Sequence, residues 1–169
     1  MSLIFWLKCR FYRVYEQKIV FDIEGYFQKN GFSKVFHNLK LTKMDKCDKS
    51  LNKLGDYDVI AVDTTNKKIW MIECKVLAKV GSFYEMFMQQ KSFFFGKKED
   101  EHFQIRIDYM RDNYTKVLDY LKCGDVAAYE IKPYMVMNKV MTSRYKKISF
   151  PIISISELFN EIDKWNNIS

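Results

Sequence analysis

Asp58 opens the apolar run Val59-Ile60-Ala61-Val62, and Glu73 and Lys75 close the next one, Ile69-Trp70-Met71-Ile72. Strand side chains alternate between faces, so Glu73 and Lys75 share a face if the second run is a strand. The polar stretch Asp63-Thr64-Thr65-Asn66-Lys67-Lys68 between the runs suits a turn. A hairpin closed symmetrically on Thr65-Asn66 pairs residues whose numbers sum to 131, which sets Asp58 opposite Glu73. Directly paired residues have Cβ atoms roughly 5 Å apart. Two carboxylates and an ammonium gathered at one end of an apolar hairpin form a costly group, because the anions repel and a buried lysine loses its hydration. A divalent cation and a reacting phosphate complete such a trio: the carboxylates hold the metal, and the lysine meets charge developing on the phosphoryl oxygens. The competing reading is a solvated Glu-x-Lys at a strand end. The in-register Asp58, the apolar strands on both sides and the Gly55-Asp56-Tyr57 lead-in weigh against it.

Asp58 followed by Glu73-Cys74-Lys75 resembles the PD-(D/E)XK nuclease superfamily, which includes many restriction endonucleases, Holliday-junction resolvases and DNA-repair nucleases. The resemblance is close over the hairpin and extends more broadly over residues 12–95; Tyr57 stands where the nominal signature has proline. It implies an α/β fold with a restriction-endonuclease-like core, a central mixed β-sheet flanked by helices in α-β-β-β-α-β order. It also implies metal-dependent hydrolysis of DNA phosphodiester bonds in restriction, repair or recombination. Asp58, Glu73 and the Cys74 main-chain carbonyl would hold Mg²⁺ or Mn²⁺, and Lys75 would orient the attacking water or stabilise phosphoryl charge. DNA is the implied partner, and such nucleases commonly form homodimers to cut both strands.

The superfamily also commonly carries an acid on the helix before the first strand, here the run from Tyr12 to Lys29, which stops at Asn30-Gly31. Glu16 and Glu24 compete for that role. Ile19, Val20, Ile23 and Phe27 mark the buried stripe, and Glu16 lies near its middle. Glu24 is rotated from Glu16 by about 80°, at about 100° per residue. An acid centred on an apolar face needs a partner, so Glu16 is preferred; the alternative is an acid that merely favours the first turn of a helix.

Those chemical groups must be carried by a chain of 169 residues, 48% of them hydrophobic, which suits one globular domain over 1–169. The apolar start Leu3-Ile4-Phe5-Trp6-Leu7 also suits the C-terminal part of a longer protein. No apolar run approaches the roughly 18 residues of a membrane span, so no membrane partner is expected. Cys9, Cys47, Cys74 and Cys123 form no CxxC pair, and His37 and His102 are the only histidines. That combination disfavours zinc and Ser-His or Cys-His catalysis and suits free thiols in the cytoplasm. The net charge of +7 is mostly lysine. Lys40, Lys43, Lys46, Lys49 and Lys53 crowd the approach to Asp58, where Lys43, Lys46 and Lys49 are candidates for phosphate contacts as well as for a merely solvated loop.

Periodicity predicts strands over 34–42, 58–63 and 69–76, then a helix from the capping pattern Ser82-Phe83-Tyr84-Glu85 to Gly96. A charged turn over 97–101 leads to a long helix from Phe103 to Lys122, outside the minimal superfamily core, with Ile107, Met110, Tyr114, Val117, Leu118 and Leu121 as its stripe. Tyr134–Asn138 and Ile152–Ile155 read as strands begun by Pro133 and Pro151, and Ser156 as the cap of a last helix. His102, Arg106, Tyr109 and Asn113 read as a solvated stripe, from which Arg106 is the candidate to contact a phosphate or steady a carboxylate. On the preceding helix the resemblance implies a glutamine facing the site, either Gln89 or Gln90. Two other functions fit the same residues: a non-catalytic domain on this fold that binds nucleic acid or protein, and an unrelated α/β interaction domain whose acidic pair is structural.

Overall fold

A computed structural model describes residues 3–32, 34–43, 51, 54–78, 81–123, 128–138 and 148–166, with side chains described from 13 to 165. It is an α/β fold whose five strands form one mixed sheet between layers of helix. The order is α1 (Leu3–Lys29), β1 (Lys34–Lys40), β2 (Asp56–Asp63), β3 (Lys68–Lys75), α2 (Phe83–Lys91), α3 (Glu99–Tyr120), β4 (Glu130–Met137), β5 (Ile152–Ser154) and α4 (Ile155–Asn166). The strands lie in chain order across the sheet, β1 to β3 antiparallel and β3 to β5 parallel. β2 and β3 are nearly continuous apolar runs because both their faces are covered. On one face α1 and α4 bring Ile19, Val20, Ile23, Phe27, Leu158 and Ile162 against Val59, Ala61, Trp70, Ile72 and Val136. On the other, α3 brings Phe103, Ile107, Met110, Val117 and Leu118 against Ile60, Val62, Ile69, Met71 and Met135. Each Val, Leu, Ile, Met or Phe side chain among these contributes about 1.5–3 kcal/mol by leaving water.

The hairpin has the expected register: Val59 pairs with Ile72, and the ladder runs to Asp63 with Lys68. Asp63 fixes the turn by accepting both the main-chain N–H of Asn66 and its side-chain amide, each at 2.9 Å. α1 begins well before Tyr12, and β1 stops at Lys40, where Leu41–Lys43 turn as a short 3-10 helix. The long helix starts at Glu99 rather than Phe103, since Glu99, Asp100 and Glu101 suit the positive end of a helix dipole. Ser82 caps α2 as expected, its Oγ accepting from Glu85 N–H at 3.2 Å. The helix then widens into one π-turn, Ser92–Gly96, closed by Lys97 N–H to the Ser92 carbonyl at 2.8 Å.

Two expectations about the last elements are corrected. Pro133 lies inside β4 rather than before it, paired opposite Met71. Its ring nitrogen faces the β5 side, as does the N–H of Met135, and β5 pairs only from Met135 onward. β4 is therefore an edge at Pro133, and no ladder hydrogen bond is lost there. The cap of α4 is Ser154 rather than Ser156: Ser154 Oγ accepts from Glu157 N–H at 3.3 Å, and Glu157 Oε2 accepts from Ser154 N–H at 2.7 Å. That reciprocal pair is a capping box two residues earlier than expected.

Candidate active site

The β2–β3 ladder ends at Val59 with Ile72, three residues before β3 itself ends, because β3 continues against β4 as far as Lys75 with Met137. Beyond Val59 the Asp58 carboxylate takes over from the main chain and accepts the Cys74 N–H at 2.7 Å. The rotation that allows this is visible in β1 and β2 together. Phe36 and Leu39 of β1 both pack on the α3 face, and so do Tyr57 and Ile60 of β2, although each pair is offset by three positions along its strand. Alternation thus slips by one residue on both strands at Asn38 and Asp58, which lie opposite each other, and Asn38 takes up the slip with φ of +49°. Asparagine tolerates that left-handed geometry better than most residues.

Glu73 and Lys75 share the α3 face with Met71. Lys75 Nζ lies 2.9 Å from Glu73 Oε1 and 3.2 Å from Glu99 Oε2 in the first turn of α3. Glu73 is buried, and its other oxygen lies 2.6 Å from Arg106 Nη2. That contact is close but not aligned as a hydrogen bond, so Glu73 Oε2 lacks an aligned donor among the described residues. Arg106 is itself buried, only 7% exposed, and not on a solvated stripe. Its Nη1 donates to the Leu54 carbonyl at 3.0 Å, and its own carbonyl accepts from the buried Tyr57 hydroxyl at 3.0 Å. Gly55, with φ of +76°, makes room: a Cβ there would stand 3.3 Å from Arg106 Nη1. Arg106 is therefore placed behind Glu73, holding it, rather than at the surface where a phosphate contact would need it.

Charge crowding follows from this geometry. Burial raises the Asp58 carboxyl from 3.8 to about 7, with the Glu73 charge adding to the rise and the Cys74 N–H and Lys75 opposing it. Burial alone would lower the Lys75 ammonium. The charge and hydrogen bond of Glu73, then Glu99 and Asp58, more than reverse this and hold it protonated. The Glu16 carboxyl is also raised, first by burial and then by Glu73 and Glu99 against the pull of Lys75. Glu16 thus feels the same four-residue neighbourhood from α1. Glu24 is engaged elsewhere, 2.8 Å from His37 Nδ1.

Of the sequence-derived residues, the fold brings together Asp58, Glu73, Lys75, Cys74 and Arg106, with Glu16 in electrostatic reach. Lys43 is exposed at the end of the 3-10 turn, and Lys46 and Lys49 lie outside the described residues. Glu99 is the residue that periodicity missed; its only signal was membership of the charged stretch 97–101. Among the described residues no three acidic, histidine or cysteine side chains gather as a ready metal cage. The Asp58 carboxyl feels the Glu73 charge, and the Cys74 carbonyl leaves its strand on the same side as the N–H that Asp58 accepts. Hard oxygens in that number suit magnesium, which normally takes one or two carboxylates and fills its sphere with water and substrate oxygens. Gln89 donates to the Ala78 carbonyl at 3.3 Å, and Gln90 is buried in α2. Among the described residues no helix is long and apolar enough to cross a membrane. Comparison with models of known protein families, with curated proteins and with solved structures gave no match to this chain.

Proposed function

We propose that the chain is a metal-dependent nuclease with a PD-(D/E)XK, restriction-endonuclease-like core, hydrolysing DNA phosphodiester bonds. The observation that carries this reading is the opening at the end of the β2–β3 ladder. There Asp58 sits on the Cys74 N–H within reach of the Glu73 charge, Lys75 lies against Glu73, and burial, with that charge, raises the Asp58 carboxyl to about 7. An Mg²⁺ or Mn²⁺ ion bound by Asp58, Glu73 and the Cys74 carbonyl would supply Lewis-acid polarisation of the phosphate and a more acidic water. Asp58 and Glu73 bind and orient. Lys75, kept protonated by Glu73 and Glu99, places a positive charge where the phosphoryl oxygens gain negative charge, and it orients the attacking water. Arg106 fixes the Glu73 rotamer, and Glu16 adds a carboxylate on the α1 side. The excess of lysine draws a polyanion to the site.

One observation favours a second reading, a nucleic-acid- or protein-binding domain without cleavage: Glu73 already has two cations within 3 Å, Arg106 and Lys75. A charge so compensated holds without metal. The two readings separate on a panel of labelled plasmid, linear, single-stranded and branched DNA with Mg²⁺ or Mn²⁺. Metal-dependent cleavage that EDTA abolishes supports the nuclease. Salt-sensitive binding with no cleavage in either metal supports the second reading and removes the first.

A further inference from the structure

Beside Lys75 lies a cleft of about 260 Å³, between the end of β3, α2 and the turn into α3. Its walls are Leu77, Ala78 and Phe93, its polar groups are Gln89, Ser92 and Glu99, and Lys75 and Lys97 stand on it. The floor is held by a reciprocal amide pair: Asn138 Oδ1 accepts the Leu77 N–H at 2.8 Å, and Asn138 Nδ2 donates to the Leu77 carbonyl at 3.1 Å. The main chain past β3 is therefore fixed although its strand has ended. A volume just below the roughly 300–1,000 Å³ of drug-sized ligand sites takes a single ring system rather than a dinucleotide. The Glu99 charge is met by Lys75 at 3.2 Å, and the apolar wall with the Gln89 amide and Ser92 hydroxyl beside it suits a nucleobase, offering packing to its face and a hydrogen bond to its edge. The cations answer the phosphates on either side of such a base.

We propose that this cleft receives one unstacked base next to the phosphate held at Lys75, so that the substrate is nucleic acid with an unpaired nucleotide, single-stranded or frayed, rather than intact duplex. The proposal rests on the nuclease reading for its place in catalysis, and it makes a binding claim that stands apart from cleavage. A base inside a duplex is stacked and paired, and reaching the cleft costs it a few kcal/mol of unstacking. A strand that is already unpaired does not pay that cost. Lys75 is shared by the cleft and the carboxylates, so seating the base sets the position of its phosphate.

The test compares one labelled oligonucleotide as a single strand and as a duplex. Cleavage is measured with wild-type protein and Mg²⁺, and binding by anisotropy with Asp58→Asn in EDTA. Ala78→Leu fills the cleft, and Gln89→Ala, a milder change, empties its polar side; thermal melts confirm that both fold. The single strand is expected to be cut and bound about tenfold better than the duplex, the low end of one base contact. Ala78→Leu is expected to bring both ratios close to one, and Gln89→Ala to lower them part of the way. Equal cleavage of the two forms, or ratios unchanged in folded Ala78→Leu and Gln89→Ala, overturns the base cleft while leaving the nuclease standing. Strand-selective binding that both variants weaken, with no cleavage, supports the cleft and overturns the nuclease. Absence of both binding and cleavage overturns the two together.

Discussion

Arg106 Nη2 stands 2.6 Å from Glu73 Oε2, and both side chains are buried, so α3 supplies the counter-charge for a carboxylate on the sheet. The pair ties the long helix to the Glu73 end of the hairpin. Because Arg106 also holds the Leu54 carbonyl, it tethers the segment that leads into Asp58. The long helix thereby becomes part of the candidate site.

Arg106→Met leaves Glu73 buried beside Lys75 alone. Removing one partner of a buried ion pair costs about 3–5 kcal/mol. Urea unfolding should show a loss in that range, with a substantial part recovered in Arg106→Met/Glu73→Gln. A loss below about 1 kcal/mol would mean that the guanidinium is not the main support of Glu73.

The Asp58 carboxyl sets a pH signature in metal-free buffer. Its folded value of about 7 lies above the ordinary 3.8, so the native state binds more protons than the unfolded chain between those values. The sign follows: stability is greatest below about pH 4 in this contribution and falls as pH rises through 7, by up to a few kcal/mol. Glu16, also raised, acts in the same direction. Denaturant midpoints in EDTA should fall over that window in the wild type and much less in Asp58→Asn. Parallel pH profiles for the two proteins would count against a crowded Asp58.

Lys75→Ala should lower metal-dependent cleavage by about 10²–10³, the scale of a lost transition-state donor. Lysine is not a ligand in the proposed site, so calorimetric Mn²⁺ binding should persist in this variant and disappear in Asp58→Ala. Loss of Mn²⁺ binding in Lys75→Ala, with the fold intact, would contradict that division of roles.

Neutralising Lys43, Lys46 and Lys49 together should weaken DNA binding about equally across sequences. If all three meet phosphates, the slope of log K against log salt should fall by roughly two to three units. An unchanged slope would mark these lysines as solvated only.

The hairpin and its register were legible in the sequence because they are local. The turn residues, the period-two alternation and the numbering fix Val59 opposite Ile72 without reference to the rest of the chain. The buried stripes of α1 and α3 were legible for the same reason, since Ile19, Val20, Ile23 and Phe27 need only helical geometry to fall on one face. The preference for Glu16 over Glu24 also came from that rotation. Arg106 was legible only in part: the sequence offered it as a group to contact a phosphate or steady a carboxylate on a stripe read as solvated, and only the packing of α3 over β3 buries it against Glu73. Pro133 misled because a strand can be central along part of its length and an edge along the rest, which depends on how far β5 extends. The slip at Asn38 and Asp58 likewise needs two strands and the divergence of a third. Short-range pattern determined which groups this chain can bring to chemistry. Long-range packing decided which cations compensate them, because a buried charge is paired by whatever the fold places within a few ångströms, at any distance along the sequence.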